Sequence, residues 1–232
     1  MRTPQYETHV TVPCATSGEW ERLAAWAAGQ GVKATRIVLA RGRVPSQPML
    51  TVRGGAGLAG HRAGAAELQA RLRAAGFRVV RVKTETEPWA PQAPQEDADA
   101  AAEGTYFEHH VKLALPGDFD RERLLAAVRP HGAHLSWNAR RVTGRGRHER
   151  FVTQRCHGVG ARTAGGRLAA LLAELTGCSA SADGGHEVLA VEREFVLYDS
   201  DLSVDEGWIE PGAGAGAESG AGTGAGIGRT VR

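Results

Sequence analysis

A constant offset relates the two halves of this sequence. Residues that stand 101 positions apart are often identical or similar, from position 6 to position 76 of the first half. The clearest pairs are Tyr6 and Phe107, Glu7 and Glu108, His9 and His110, Gly31 and Gly132, and Gly76 and Gly177. A fixed offset kept over such a length is the signature of an internal repeat. We therefore predict a tandem duplication of one supersecondary unit.

Each copy has the same predicted order of elements. Alternating and helical hydrophobic patterns predict strands over 5–13, 33–41, 47–54 and 77–87 and helices over 17–28 and 63–75, with Ser17 as the first N-cap. In the second copy, the same patterns predict strands over 105–114, 133–142, 148–156 and 186–198 and helices over 118–129 and 164–176. The order βαββαβ with right-handed crossovers is the ferredoxin-like plan. We predict an α+β fold with two antiparallel sheets that carry helices on their outer faces.

Changes in composition predict the domain boundaries. The first ferredoxin-like lobe is expected over 1–88 and the second over 105–210. Residues 89–104 are rich in Pro, Ala and acidic residues, which is typical of a linker. Residues 211–232 are rich in Gly and Ala and have few large apolar residues, so we expect a disordered tail.

Charge and cysteine content restrict the class of protein. The chain has 28 Lys and Arg and 26 Asp and Glu, which gives a formal net charge of +2 and no basis for a nucleic-acid or membrane partner. The three cysteines lack the paired spacing of a disulfide framework or a zinc site. The N-terminal residues do not resemble a signal peptide. We expect a cytoplasmic monomer or homodimer whose partner is a small-molecule ligand.

The candidate site lies on the sheet face that the helices leave uncovered. Side chains alternate between the two faces of a strand, so Glu7 and His9 share one face with each other, as do Glu108, His110 and Lys112. The remaining strands are predicted to add further polar groups to this face: Arg53, Lys83, His134, Arg155, Glu192 and Glu194. If the two faces meet, these groups line a shared cleft.

The residue types on this face suggest three kinds of chemistry. His110 and His9 could act as general bases near neutral pH beside Glu108 and Glu7, which makes these four the candidate catalytic residues. Cationic and imidazole side chains could bind an anion, and the candidates are Lys112, Arg155, Arg53, Lys83 and His134. Glu192 and Glu194, near Glu108 and His110, could hold a divalent metal as cofactor. The favoured function is binding, with hydrolysis as a further option, of a small anionic or phosphorylated ligand.

Two other interpretations compete with a ligand site. An antiparallel sheet with helices on one side can simply expose polar residues to water on the other. Duplicated units of this kind can also serve as non-catalytic regulatory or protein-interaction modules.

Two weaker motifs have ordinary structural interpretations. The Gly-rich loops at 54–57 and 158–160 precede helices but lack a phosphate-binding pattern, which favours plain connectors. The acidic segment that contains Asp199, Asp201 and Asp205 has calcium-loop spacing without the required glycine, so we interpret it as a solvated connector.

Overall fold

The computed structural model describes residues 4–38, 43–54, 57–100, 104–136, 147–179 and 186–207. The first half contains β1 (Tyr6–Thr11), α1 (Ser17–Gly29), β2 (Lys33–Val38), β3 (Ser46–Arg53), α2 (Gly57–Ala74) and β4 (Arg81–Thr86). The second half contains β5 (Tyr106–Leu115), α3 (Arg121–Val128), β6 (Ala133–Ser136), β7 (His148–His157), α4 (Ala161–Ser179) and β8 (Glu187–Asp199). A short 3-10 turn over Leu202–Asp205 follows β8. Both halves have the order βαββαβ.

Helix starts differ from the predicted ones in both halves, and α1 and α2 show the physical reasons. The N-cap of α1 is Thr16 and not Ser17, because Thr16 and Glu19 form a capping box in which Thr16 Oγ1 accepts from Glu19 N and Glu19 accepts from Thr16 N. Helix α2 begins at Gly57, earlier than the predicted 63, although its first turns are rich in glycine. Burial of His61 and Ala65 against the sheet outweighs the low helix propensity of those glycines.

Some predicted segments lie partly or wholly outside the described residues. The strands predicted over 33–41 and 133–142 are described as far as Val38 and Ser136. The tail predicted over 211–232 lies outside the described residues.

All eight strands form one antiparallel sheet in the order β2-β3-β1-β4-β8-β5-β7-β6. The predicted α+β fold with ferredoxin-like units is confirmed. The two expected sheets are joined edge to edge, because β4 pairs with β8 from Lys83↔Asp199 to Thr86↔Phe195. Since β4 and β8 are the fourth strands of their units, their antiparallel pairing relates the halves by an approximate twofold axis.

The helices cover one face of this sheet and bury apolar clusters in both halves. Val10, Leu23 and Leu72 belong to the core of the first half. Val111 and Leu171 belong to that of the second half. Burying such side chains contributes about 1.5–3 kcal/mol each. The opposite face, which we call the uncovered face, therefore carries the alternate, polar residues of the strands.

The segment before β5 packs against the start of α4. Gly160 N donates to Asp97 Oδ1 at 2.7 Å, Thr163 Oγ1 donates to Asp97 Oδ2 at 3.0 Å, and Ala161 N donates to the carbonyl oxygen of Pro94 at 2.8 Å. A carboxylate at a helix N-terminus is stabilised by the helix dipole. Asp97 thus occupies the helix start that follows the Gly-rich loop at 158–160.

None of the helices in the described part of the chain combines the length and apolar character that a membrane span requires.

Candidate functional site

An open cavity of about 740 Å³ lies on the uncovered face of the sheet. Strands of both halves contribute to its lining. Among the described residues, the lining includes six Lys or Arg, seven Asp or Glu and two His side chains. The charges in the cavity wall are therefore nearly balanced.

A group of two carboxylates around one imidazole lies in the first half, and we call it the first centre. It consists of Glu7 and His9 on β1 and Glu85 on β4, whose strands pair with Glu7 opposite Glu85. His9 Nε2 lies 2.9 Å from Glu85 Oε1 and 3.6 Å from Glu7 Oε1. On the other side of the ring, His9 Nδ1 lies 3.1 Å from Thr51 Oγ1.

The second half repeats this arrangement in a second centre. Glu108 and His110 lie on β5, and Glu194 lies opposite Glu108 on β8. His110 Nε2 is 3.3 Å from Glu108 Oε2 and 3.6 Å from Glu194 Oε2. His110 Nδ1 is 3.0 Å from Thr153 Oγ1, which is the counterpart of the contact to Thr51. The sequence pairing of His9 with His110 therefore corresponds to equivalent positions in the fold.

Lys83 links the two centres. Its Nζ lies 2.9 Å from Glu85 Oε2 and also forms an ion pair with Glu108 Oε2. Lys83 stands opposite His9 in the ladder, and the residue opposite His110 is Glu192. The two halves thus differ in charge at this position.

A chain of buried ion pairs continues from the second centre toward the end of β8. Arg155 Nε donates to Glu108 Oε1 at 2.6 Å and its Nη2 donates to Asp205 Oδ2 at 2.7 Å. Asp205 Oδ2 also accepts from Arg81 Nη1 at 2.8 Å, and Arg81 Nε donates to Asp199 Oδ1 at 2.8 Å. Charge-assisted bonds of this kind are stronger than neutral ones.

The interpretation of the acidic segment after β8 as a solvated connector is wrong. The side chains of Asp199 and Asp205 are 0% and 3% exposed. They are buried because β4 and β7 bring Arg81 and Arg155 beside them, and a buried carboxylate requires such partners.

The surroundings keep Glu108 and Glu85 ionised. Burial alone would raise the pKa of Glu108, but Arg155 and Lys83 hold this pKa well below its usual range. Burial likewise opposes ionisation of Glu85, but Lys83 and His9 lower its pKa to about 2. Both oxygens of Glu108 are engaged by cations, and these contacts favour a structural role for this residue.

His110 is cationic in this arrangement. Burial disfavours the charged ring, but Glu108 and Glu194 outweigh this effect and raise the pKa of His110 to about 10. A cationic imidazole has no lone pair to accept a proton. The general-base role predicted for His110 therefore requires that the ring first loses the proton on Nε2.

The remaining predicted residues lie at different distances from this network. Lys112 lines the cavity and pairs with Glu149 at 2.9 Å. Arg53 binds both oxygens of Glu7, at 2.7 and 3.0 Å, and its side chain is 65% exposed. Glu192 lines the cavity as an exposed residue outside the second centre. His134 stands opposite Thr153 in the ladder but does not line the cavity.

Arg81 and Lys33 are charged cavity residues that were not predicted from the sequence. Arg81 begins β4 and lies on the same face as Lys83 and Glu85, so strand alternation could have identified it. Lys33 begins β2 and stands opposite Thr51 of β3. Alternation alone does not identify the uncovered side of an edge strand, since this depends on the pairing of β2 with β3.

No protein-family model matches the sequence, and no curated protein sequence matches it. Among solved structures, the chain is similar to the acetolactate synthase small subunit from Thermotoga maritima, with 15% sequence identity and a TM-score of 0.29. The similarity covers 83% of this chain and 93% of that chain. It is also similar to the ligand-free regulatory subunit of aspartate kinase from Thermus thermophilus, with 13% identity, 73% and 92% coverage and a TM-score of 0.29. We draw no functional conclusion from similarities of this size.

Proposed function

We propose that this protein binds a small anionic ligand in the cavity on the uncovered face. The observation that carries the proposal is the concentration of buried, mutually paired charges around one concave space. Desolvating charged groups is costly unless they are paired or bind a ligand. The cavity volume of about 740 Å³ also falls within the usual range for small-molecule sites. A face that served only for contact with water would not need this buried network.

The anionic group of the ligand is expected beside Lys33 and Arg53. The side chains of the other cavity cations are largely buried against carboxylates, whereas Arg53, which pairs with Glu7, is 65% exposed. Lys33 is exposed and, among the described residues, forms no ion pair. Arg53 follows Thr51 by two positions on β3, so it is a diagonal neighbour of Lys33 on the same face. Two accessible cations at this spacing suit a phosphate or carboxylate group.

Inorganic pyrophosphate is a suitable probe for this site. At ten times its dissociation constant it should stabilise the fold by about 1.4 kcal/mol, which raises the unfolding midpoint by about 3–5 °C for a chain of this size. Thermal unfolding measured at constant ionic strength, with EDTA present, tests this expectation. Orthophosphate release in the same samples tests the catalytic roles predicted for Glu7, His9, Glu108 and His110.

The variants Lys33→Ala and Arg53→Ala should lose most of the pyrophosphate shift. Arg62→Ala is the matched control, because Arg62 is an exposed arginine of α2 outside the cavity. The absence of any shift, or an equal shift in all three variants, would contradict the proposal.

The exposed edge of β8 supports a second candidate function, association with a second copy of the chain. Among the described residues, the stretch 187–194 of β8 is paired only with β5. Val188, Leu189 and Val191 on this stretch are 37%, 42% and 39% exposed. An unpaired strand edge with apolar side chains favours the addition of another strand.

The charge pattern of this edge is self-complementary. An antiparallel pairing of two copies centred on Ala190 places Glu187 opposite Arg193 and Leu189 opposite Val191. We expect a dimer in light scattering after size exclusion, and Val191→Lys should make it monomeric. A wild-type chain that remains monomeric at high micromolar concentration would contradict this second candidate.

A further inference from the structure

The donor atoms of the second centre are close enough to converge on one ion. One atom each from Glu108, His110 and Glu194 lie within 4.8 Å of one another. Donors on opposite sides of an ion bound at about 2.1 Å are about 4.2 Å apart, so only small side-chain shifts are needed. One imidazole and two carboxylates form a donor set that suits divalent first-row metals.

Thr153 holds the imidazole of this centre in an orientation that suits a metal ligand. Thr153 is 2% exposed, and its Oγ1 lies 3.0 Å from His110 Nδ1. This contact directs Nε2 toward the two carboxylates. Metal-binding histidines generally make such a contact through the ring nitrogen that does not bind the metal.

The two centres differ at one carboxylate, Glu194, because Glu108 is engaged by Arg155 and Lys83 just as Glu7 is engaged by Arg53. In the first centre, His9 Nε2 lies 2.9 Å from one oxygen of Glu85, and Lys83 forms an ion pair with the other oxygen. Arg53 binds both oxygens of Glu7. Glu85 Oε2 and Glu194 Oε2 are both buried without a hydrogen bond to any described residue, but Glu85 Oε2 has the ammonium group of Lys83 at 2.9 Å and Glu194 Oε2 has no such cation. Its contact to His110 Nε2 is 3.6 Å long. A buried carboxylate oxygen without a hydrogen bond is costly, and a cation at this point would relieve the cost.

We propose that Glu108, His110 and Glu194 bind one divalent metal ion, whereas the first centre is closed by its own ion pairs. The ion would lie between His110 Nε2 and the carboxylates, where it takes the place of a proton on that nitrogen. Binding of the metal does not depend on an anionic ligand, because every proposed donor belongs to the chain itself.

Titration with Mn²⁺ in the absence of any multivalent anion tests this inference. The electron paramagnetic resonance signal of the free ion reports the bound fraction, and we expect one ion per chain. Glu194→Gln and His110→Ala should remove this binding. Thr153→Val, which keeps all three donors, should weaken it by about 10–100-fold.

The first centre supplies a matched control within the same chain. His9→Ala should leave the Mn²⁺ stoichiometry and affinity unchanged, and so should Glu192→Gln, since Glu192 lies outside both centres. Circular dichroism verifies that each variant is folded; if His110→Ala unfolds, Glu194→Gln and Thr153→Val decide the outcome.

No Mn²⁺ binding by the wild-type chain would overturn the inference. Equal losses in His9→Ala and His110→Ala, or unchanged affinity in Thr153→Val, would also overturn it. These results would leave the pyrophosphate experiment unaffected, because that experiment is carried out with EDTA.

Discussion

Replacing Glu108 by glutamine should lower the free energy of unfolding by about 3–5 kcal/mol, which is the usual cost of removing one partner from a buried ion pair. Glu108 is 1% exposed and contacts both Arg155 and Lys83. Neither cation can reach water easily, because their side chains are 8% and 11% exposed. Without the carboxylate they remain buried beside each other with less compensation. Equilibrium denaturation with urea measures the loss.

Glu7→Gln is the matched control, since Glu7 occupies the equivalent position in the first half. Its partner Arg53 is 65% exposed and can be hydrated when the carboxylate is removed. We therefore expect a loss of about 1 kcal/mol or less. Similar losses for the two variants would show that Glu108 is not the central member of a buried network.

Replacing Gly160 by alanine should destabilise the fold by about 3 kcal/mol, at the upper end of typical overpacking costs. An added Cβ would lie 2.4 Å from the carbonyl carbon of Glu96 and 2.6 Å from the carbonyl oxygen of Gln95. These are backbone atoms, so the segment that caps α4 would have to move away. Movement of this segment would also weaken the contact between Asp97 and the start of α4. Thermal and urea denaturation measure the change.

Gly165→Ala, inside the helix that begins just after Gly160, provides the comparison. A Cβ at Gly165 meets no atom within 4 Å. Alanine has the higher helix propensity, so this variant should be unchanged or more stable by up to about 1 kcal/mol. If Gly160→Ala were equally harmless, this result would contradict the close packing between α4 and the segment before β5.

The repeat and the alternation of strand residues predicted much of the site. His9 and His110 could be paired from the offset alone, and strand parity placed Glu7 and Glu108 on the same face as these imidazoles. Such patterns are readable because the side-chain period of a strand is two residues. The α+β class followed from the same local signals.

The contacts that join the halves could not be predicted in this way. The pairing of β4 with β8 depends on tertiary packing and turns two expected sheets into one. The burial of Asp205 could not be predicted from the sequence, because its acidic neighbours suggest a solvated segment. Only the long-range approach of Arg81 and Arg155 makes it a buried partner. A local pattern contains no information about partners 50 or more residues away.

The charge of His110 could not be predicted from the local sequence either. A histidine on a polar strand face suggests a group that titrates near neutral pH. The facing carboxylates Glu108 and Glu194 instead favour the cationic ring. Glu194 reaches this position from β8, so its influence on His110 follows from sheet order and register.

Nuclear magnetic resonance of the histidine side chains tests most directly whether the ligand binds on the uncovered face. His9 and His110 line the cavity, whereas His61 and His109 are 1% and 2% exposed on the helix side. Saturating pyrophosphate is predicted to shift the ring signals of His9 and His110 and to leave those of His61 and His109 in place. Unchanged His9 and His110 signals, or shifts confined to His61 and His109, would contradict a ligand site in this cavity.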